Sequence, residues 1–473
     1  MARRNAPASI GLARSCRAAS YPILPKLERF PEIHSDRIIL LAMLRKLLPL
    51  LTSVWLITAA ALLARVTFVW DQQRKIPHNV LATVPFEQEV GNIASALAQG
   101  RGFSEVFRQP TGPTAWLAPI YPTLIAAIFR IFGTFTYSAF LTAVLLNCLF
   151  SSAATVPLFF AGRKIGGLAV AALSAWLWAI FPNGVMLPFE WVWDTSLSAF
   201  FAAALLWATL HLTETGKTLA WIAYGILWAS ALLTNPAFGI LLPFFLLWLG
   251  LRGLRTAKPS LKLIAISLAT TILCCLPWTI RNYVNFHRLI PIRSNFAFEL
   301  WLGNNNIFDE HAVGGIQRIT RFGEARLYSQ LGENGFMDQK WRLASDFIRT
   351  HHALEARLTA RRFTATWLGT ETPWRDFLST DSILIRAIFL CNALIAIGTL
   401  AGIAILFVRR NPYAIPLALI PLLFPIVYYI THTSLRYRHP MDFCLLLLTS
   451  VALICAIRPR AIASAASAPE ISA

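Results

Sequence analysis

The chain has 473 residues, of which 56% are hydrophobic and only 14% are charged, and its mean hydropathy is +0.57. This composition excludes a soluble globular domain and requires several membrane spans. The net charge of +19 does not indicate a nucleic-acid partner, because much of the basic charge stands in short connections between apolar runs. The seven cysteines show neither metal-ligand spacing nor a disulfide pattern.

The chain begins with a basic segment, residues 1–45, in which no acid precedes Glu28. We interpret it as a disordered cytoplasmic tail. Apolar runs of about 20 residues, the length that crosses a bilayer, then predict ten transmembrane helices, at about 47–70, 137–161, 166–186, 195–212, 219–235, 237–252, 263–280, 384–408, 413–430 and 441–457. The predicted fold is an all-α polytopic membrane protein. Its predicted parts are an N-terminal module (46–280), an insert (281–383), C-terminal helices (384–460) and a tail (461–473).

The short basic connections predict the orientation. With ten spans they all fall on the side of the N-terminus, which the positive-inside rule makes cytoplasmic: Arg163/Lys164, Arg252/Arg255/Lys258/Lys262, Arg409/Arg410 and Arg458/Arg460. The first long loop, 71–136, and the insert then face outward. The sequence "GKT" at 216–218 lacks the upstream glycines of a phosphate-binding loop. We therefore expect a working face that is extracytoplasmic and uses no nucleotide.

The first outer loop contains a helical pattern, "FEQEVGNIASALAQG", with an apolar stripe and Gly100 at its end. Glu89 lies at the edge of the stripe and Glu87 points further out, so the helix is predicted to lie in the interface. The alternative is that both glutamates only favour the helix dipole. The following "AWLAPIYPTLIAAIFRIFG" predicts a second interfacial helix, with Trp116 and Tyr121 at headgroup level and lining a cavity.

A second acidic group precedes the fourth predicted span. In "FEWVWDTSLSAF", Asp194 follows Trp193, which is also predicted to line the cavity, and Glu190 stands four residues earlier than Asp194. Asp194 is a candidate catalytic acid together with Glu89, and Glu87 and Glu190 are the alternative acids. A pair of carboxylates such as Glu89 and Asp194 could bind a divalent cation, or one could act as general base while the other orients it. The alternative for Asp194 is a helix N-cap.

Arginines at outer span ends run against the positive-inside bias. Arg281 follows the seventh predicted span, and Arg436 and Arg438 follow the ninth in "SLRYRHP". A guanidinium group binds phosphate with two hydrogen bonds, so a lipid phosphate is a natural ligand. The alternative is that these side chains snorkel to lipid headgroups. The insert adds an amphipathic helical stretch, 332–369, that predicts a lid or small domain.

Four stretches resemble a known family: "EVGNIASALAQGRGFS", "TGPTAWLAPIYPTLIAAIFRIFG", "WVWDTSLSAF" and "RYRHP", in this order between about 85 and 445. They resemble the GT-C superfamily of membrane glycosyltransferases, in its branch of protein O-mannosyltransferases and aminoarabinose transferases. The resemblance implies an inverting transfer of a sugar from polyprenyl phosphate to a protein, lipid or glycan acceptor. The site would lie at the outer face of a bacterial inner membrane.

The resemblance also implies residue roles. Glu89 matches the first-loop acid that serves as base or metal partner, and Asp194 matches the second-loop acid. The usual Asp-Glu pair is not intact, since Phe86 and Glu87 stand in its place, and a divalent metal stays an open expectation. The order of preference for phosphate binding is Arg438, Arg436 and Arg281. A flippase or transporter of lipid-linked sugars is the alternative function, which polar groups in mid-span would favour.

Overall fold

The computed structural model describes residues 49–107, 109–256, 260–305, 316–368 and 383–458. From Leu50 onward the described residues belong to one compact unit. The predicted tails, 1–45 and 461–473, lie outside the described residues.

The described residues form helices and no β-strand, and Ser104 and Pro113 make one isolated antiparallel bridge. Side-chain caps begin several helices where the sequence offers Ser or Thr; Thr136, for example, accepts the N–H of Ala139 at 3.1 Å. We number the α-helices in chain order: α1 Val54–Gln73, α2 His78–Thr83, α3 Glu89–Ala98, α4 Ile120–Phe132, α5 Tyr137–Ala153, α6 Thr155–Ile180, α7 Pro182–Glu190, α8 Thr195–Leu212, α9 Thr218–Leu232, α10 Leu242–Thr256, α11 Leu261–Phe286, α12 Phe296–Gly303, α13 Ile316–Thr350, α14 His352–Leu368, α15 Ile383–Val408, α16 Ala414–Leu423, α17 Ile426–Ile430 and α18 Leu435–Ile457.

Among the described residues, seven helical segments are long and apolar enough to cross a membrane: Val54–Gln73, Tyr137–Ile180, Thr195–Leu212, Pro236–Leu254, Leu261–Phe286, Arg386–Val408 and Leu435–Ile457. The 44-residue segment Tyr137–Ile180 corresponds to two predicted spans. Gly166 and Gly167 leave helical geometry (φ −144° and +78°) and separate the two. The shorter apolar helices Thr218–Leu232 and Ala414–Ile430 match the two remaining predictions. The prediction of an all-α polytopic membrane protein is confirmed.

At two predicted span ends the helix extends six residues further, and both extensions contain arginines. α11 continues to Phe286, so Arg281 lies inside the helix rather than after it. α18 begins at Leu435, six residues before the predicted span, so the polar "LRYRHP" is helical. For α18 the physical reason is internal pairing. Arg438 donates through Nε to Asp442 Oδ1 at 2.7 Å, and both side chains are buried. A buried charge inside a span is tolerated when it has such a partner.

The basic connections come together at one end of the helix bundle. Asn411 donates to the carbonyl of Ile165 at 3.2 Å, and Lys164 pairs with Glu214. Tyr413 interacts electrostatically with Arg252 and Glu214. The sequence places these residues in four separate short connections between predicted spans, so these connections share one end of the bundle, as the prediction requires.

The first loop packs against the insert through aromatic side chains. Trp116 is 1% exposed, and its ring centroid lies 4.8 Å from that of Phe298 in α12 and 5.8 Å from that of Phe336 in α13. The insert therefore covers Trp116, which packs against protein, and the level of Trp116 and Tyr121 relative to the headgroups stays a prediction. Tyr121, also 1% exposed, donates its hydroxyl to Asn147 Oδ1 at 2.9 Å.

Candidate functional site

A cavity of about 260 Å³ lies where the first loop, the insert and the beginnings of α8 and α18 meet. It is lined by both polar and aromatic side chains. The lining residues that carry charge or aromatic rings are Glu89, Trp116, Trp193, Asp194, Arg293, Phe296, Phe298, Glu299, Tyr428, His432, Arg436 and Tyr437. The two candidate acids and one candidate arginine thus reach the same cavity from three distant parts of the sequence.

Arg436 occupies the first turn of α18 and is 7% exposed. Its guanidinium carbon lies 4.3, 4.8 and 4.7 Å from the ring centroids of Trp191, Trp193 and Tyr437. One nitrogen donates to the Tyr437 hydroxyl at 2.8 Å. Nε and Nη1 are buried and have no hydrogen-bond partner in the described part of the chain. Such donors are costly unless something else accepts from them.

Asp194 stands at the N-cap position of α8, yet within the described chain its side chain makes no capping hydrogen bond. Instead Oδ2 accepts from the hydroxyl of Ser198 at 3.1 Å, one turn into the helix. Glu89 is the first residue of α3 and interacts electrostatically with Arg436. Both carboxylates are therefore held at helix N-termini, where the macrodipole favours negative charge.

The opposite wall of the cavity comes from the insert and the start of the α17–α18 connection. Arg293 donates through Nε to Asn295 Oδ1 at 2.5 Å and through Nη2 to Glu299 Oε1 at 3.3 Å. Asn295 Nδ2 donates to the same Glu299 oxygen at 2.7 Å. His432 Nδ1 lies 3.5 Å from Glu299 Oε2, and its Nε2 lies 3.1 Å from the Tyr437 hydroxyl. Polar contacts therefore run from Arg293 to Glu299 and from His432 to Arg436. The two sets approach each other at Glu299 Oε2 and His432 Nδ1, which make no hydrogen bond within the described chain.

Burial and the arginines act in opposite directions on the acid of α8. Burial raises the pKa of Asp194, whereas Arg293, the Ser198 hydrogen bond and Arg436 act to lower it. Burial lowers the pKa of His432, and Glu299 opposes that shift. Because the imidazole of His432 is kept neutral, Arg293 and Arg436 supply the positive charge that faces the carboxylates.

Several residues proposed from the sequence lie elsewhere. Glu87, Glu190 and Tyr121 do not line this cavity. Arg281 donates to the carbonyls of Thr114 and Phe103, both at 2.6 Å. Arg438 pairs with Asp442 and donates to the carbonyl of Trp367 at 2.9 Å. Both arginines donate to protein acceptors, and neither lines this cavity, whereas Arg436 does.

The described residues do not offer a ready metal site. Among them, no group of three or more His, Cys, Asp or Glu side chains stands close enough to hold a metal ion. The described acids that line the cavity each face arginines: Asp194 and Glu299 face Arg293, and Glu89 faces Arg436. Positive charge is thus already present where a cation would bind, so the donor set does not fit the expected divalent metal.

Sequence reasoning did not single out Arg293, Glu299 or His432. Two signals were available. Arg293 and Glu299 are opposite charges six residues apart in "IRSNFAFELW", around a short helix that follows an outer span end. His432 stands in the same connection as Arg436, "THTSLRYRHP". Neither signal specifies that the two segments meet, since they lie more than 130 residues apart.

Comparisons with known proteins give matches in structure and none in sequence: no family model and no curated protein matches this chain. The oligosaccharyltransferase of Archaeoglobus fulgidus in complex with Zn and sulfate has a TM-score of 0.51 at 17% identity, covering 87% of this chain and 50% of that one. Its apo form also has a TM-score of 0.51, at 15% identity, covering 89% and 53%.

ArnT from Cupriavidus metallidurans bound to undecaprenyl phosphate matches at a TM-score of 0.34 and 14% identity, covering 84% of this chain and 79% of that one. The present chain spans about half the length of the archaeal oligosaccharyltransferase. At these identities the comparisons establish the fold. The resemblance inferred from the four sequence stretches is confirmed at that level: the chain shares the fold of the archaeal oligosaccharyltransferase.

Proposed function

We propose that this protein transfers a sugar from a polyprenyl-phosphate carrier to an acceptor hydroxyl at the outer face of the membrane. The observation that carries the proposal is the charge arrangement in the cavity. Glu89 and Asp194 line the same space as Arg436, whose Nε and Nη1 are buried without a protein acceptor in the described chain. Transfer from a phosphate-linked donor needs both a proton acceptor and a cation for the leaving group.

In the proposed reaction the acceptor oxygen attacks the anomeric carbon, and the bond from that carbon to the phosphate oxygen breaks. The acceptor's proton passes to a carboxylate, and the lipid phosphate leaves with the bonding electron pair. A single displacement inverts the anomeric centre. We assign Asp194 as the base, because its pKa is raised by burial, which brings a carboxyl group closer to the range of an effective general base.

Glu89 is the second candidate base, and its negative charge also balances Arg436. For the leaving phosphate we assign Arg436, with Arg293 across the cavity. Arg436 has donors free of described protein acceptors, and its charge is held in place by three aromatic rings. No step is routed through a metal, since the described ligands do not fit one.

The proposed location follows from the two ends of the bundle. The basic connections meet at one end, and the positive-inside rule places that end in the cytoplasm. The cavity is built from the connections that alternate with them along the chain, so it opens outward. A lipid-linked sugar is activated without a nucleotide, so it is a suitable donor for a site on the outer side of the membrane. A bacterial inner membrane and a hexosyl or pentosyl donor are the expected setting and substrate class.

The test is turnover by the purified protein in lipid nanodiscs with a panel of polyprenyl-phosphate-linked sugars, followed by release of polyprenyl phosphate. We expect Asp194→Asn to lower release by at least about a hundredfold, as loss of a general base does. Glu190→Gln is the matched control, because Glu190 lies outside the cavity, and it should retain wild-type turnover.

Two results would refute the proposal. The first is that the protein turns over no donor. The second is that Glu190→Gln abolishes turnover while Asp194→Asn does not. Movement of an intact lipid-linked sugar across the bilayer, without release of lipid phosphate, would instead identify a transporter.

A further inference from the structure

The insert places a buried carboxylate beside the cavity. Glu333 follows Gly332, where α13 is interrupted by a left-handed backbone conformation (φ +66°), and it is 5% exposed. Four donors from three segments converge on its two oxygens. Thr114 and Tyr328 donate their hydroxyls to Oε2, both at 2.6 Å, and Oε1 accepts from the Ala115 N–H at 2.9 Å and the Ser294 hydroxyl at 2.6 Å.

These donors stand directly beside residues of both cavity walls. Thr114 and Ala115 immediately precede Trp116 and Leu117, which line the cavity from the first loop. Ser294 separates Arg293 from Asn295, which line it from the opposite side. The Ser294 N–H also donates to the carbonyl of Ala115 at 2.8 Å. Glu333 therefore joins the two walls at a point one residue away from the site on each side.

A second contact reinforces the same point. Arg281 donates to the carbonyls of Thr114 and Phe103 and interacts electrostatically with Glu333. Burial, with Glu333 beside it, raises the pKa of Tyr328, which keeps the phenol a donor. A buried carboxylate is costly to desolvate, and apolar side chains of similar volume often stabilise a protein at least as well. The full set of hydrogen bonds to Glu333 is therefore better explained by a requirement for position than by a requirement for stability.

We propose that Glu333 is a positioning residue of the transfer reaction. It fixes the cavity wall that contains Trp116 against the wall that contains Arg293, so that the donor and the acceptor are held in the orientation that transfer requires. The catalytic part of this inference rests on the proposed function. The insert is then a component of the site rather than a separate accessory, because its carboxylate sets the width of the cavity.

Glu333→Gln tests the inference sharply. The Ala115 N–H is a fixed donor, so the amide oxygen must stay on that side and the NH₂ group must face the hydroxyls of Thr114 and Tyr328. Both hydroxyls now donate to Oε2, so each O–H must rotate away from the NH₂ group and loses its carboxylate acceptor. Thr114→Val is the milder variant, which removes one donor. Asp338→Asn is the matched control, a carboxylate-to-amide change on the same helix in an exposed ion pair with Arg288.

The first measurement is amide hydrogen exchange on the full chain in nanodiscs, which does not depend on any activity. We expect Glu333→Gln to raise exchange in segments 112–117 and 292–297 and to leave the spans and the thermal midpoint as in Asp338→Asn. Unchanged exchange in both segments would overturn the proposal. Exchange raised throughout the chain would also overturn it, because the carboxylate would then serve stability alone.

The second measurement separates this inference from the proposed function. With a donor that the wild type turns over, Glu333→Gln should lower kcat/KM by about tenfold or more, the effect of losing one charge-assisted hydrogen bond. The double variant with Thr114→Val should cost less than the product of the single effects, since both remove the same contact. Strict multiplication would refute the coupling. If the wild type turns over no donor, the proposed function fails, and the exchange measurement still decides the role of Glu333.

Discussion

Replacing Arg436 by lysine removes the fork of the guanidinium group while it keeps the positive charge. The arginine makes one hydrogen bond to protein, to the Tyr437 hydroxyl, and holds two buried nitrogens without an acceptor in the described chain. A lysine ammonium group is a compact charge on a flexible stem and cannot bind phosphate through two parallel N–H groups. It also replaces the delocalised guanidinium group that lies over Trp191 and Trp193.

The size of the effect follows from the donors that are lost. A hydrogen bond to a charged group contributes about 1.5–3 kcal/mol, so the loss of one phosphate contact lowers the rate about 10- to 150-fold. The fall should appear mainly in kcat, because negative charge grows on the leaving phosphate oxygen in the transition state. Arg436→Ala should cost more, since it also leaves the carboxylates of the cavity without this counter-charge.

The assay is release of polyprenyl phosphate from a lipid-linked sugar at saturating and limiting donor. Arg74→Lys is the matched control: Arg74 also lies over a tryptophan, 4.1 Å from the Trp70 ring centroid, but its side chain is exposed and lies outside the cavity. It should leave both constants unchanged. Wild-type kcat in Arg436→Lys, or a loss explained entirely by a lower thermal midpoint, would refute the phosphate role.

Three further results are expected. Arg293→Gln should shift the acid limb of the pH–rate profile upward, because Arg293 lowers the pKa of Asp194 and the base must be ionised to accept a proton. Tyr437→Phe keeps the ring beside Arg436 but loses the hydroxyl, and it should lower kcat by up to about tenfold without a change in thermal midpoint. Gly402→Ala should destabilise the protein, because an added Cβ would lie 2.1 Å from the Leu448 carbonyl oxygen, and the thermal midpoint in nanodiscs measures this.

A specific result would contradict each of these expectations. A downward shift of the acid limb in Arg293→Gln would exclude Asp194 as the group that titrates. Wild-type kcat in Tyr437→Phe would show that the hydroxyl does not orient Arg436. Gly216→Ala controls for the loss of glycine itself, because a Cβ there meets open space. Equal midpoints for Gly402→Ala and Gly216→Ala would mean that α15 and α18 can separate without cost.

The fold and the acids were accessible from the sequence for a physical reason. A bilayer span must be about 20 apolar residues long, so hydropathy alone finds the helices. Glu89 and Asp194 stand out because carboxylates are rare beside spans. The arginines were harder. Two residues apart on a helix, Arg436 and Arg438 point about 200° apart, so only one of them can face the cavity once α18 is known to begin at Leu435.

The remaining part of the site depends on contacts between distant segments. Arg293 and Glu299 line the cavity only because the insert packs on the first loop through Trp116 and Phe298. Glu333 acts at the same junction. Hydropathy does not report such packing, since it describes each segment by itself and does not indicate which distant segments meet. The sequence therefore predicts which loops carry the chemistry but not how their walls meet.

The ends of four helices support the proposed position of the leaving phosphate beside α18. The N-terminal turns of α3, α8 and α12 each present a carboxylate to the cavity, through Glu89, Asp194 and Glu299. The fourth, of α18, presents Arg436 instead, and its N-cap residue Ser434 makes no side-chain capping hydrogen bond within the described residues. A carboxylate already complements the dipole of the first three helices. At α18 the dipole and the guanidinium have the same sign, which is unfavourable until an anion binds between them. In the proposed reaction the leaving phosphate satisfies both, and the transition state creates its negative charge at that point.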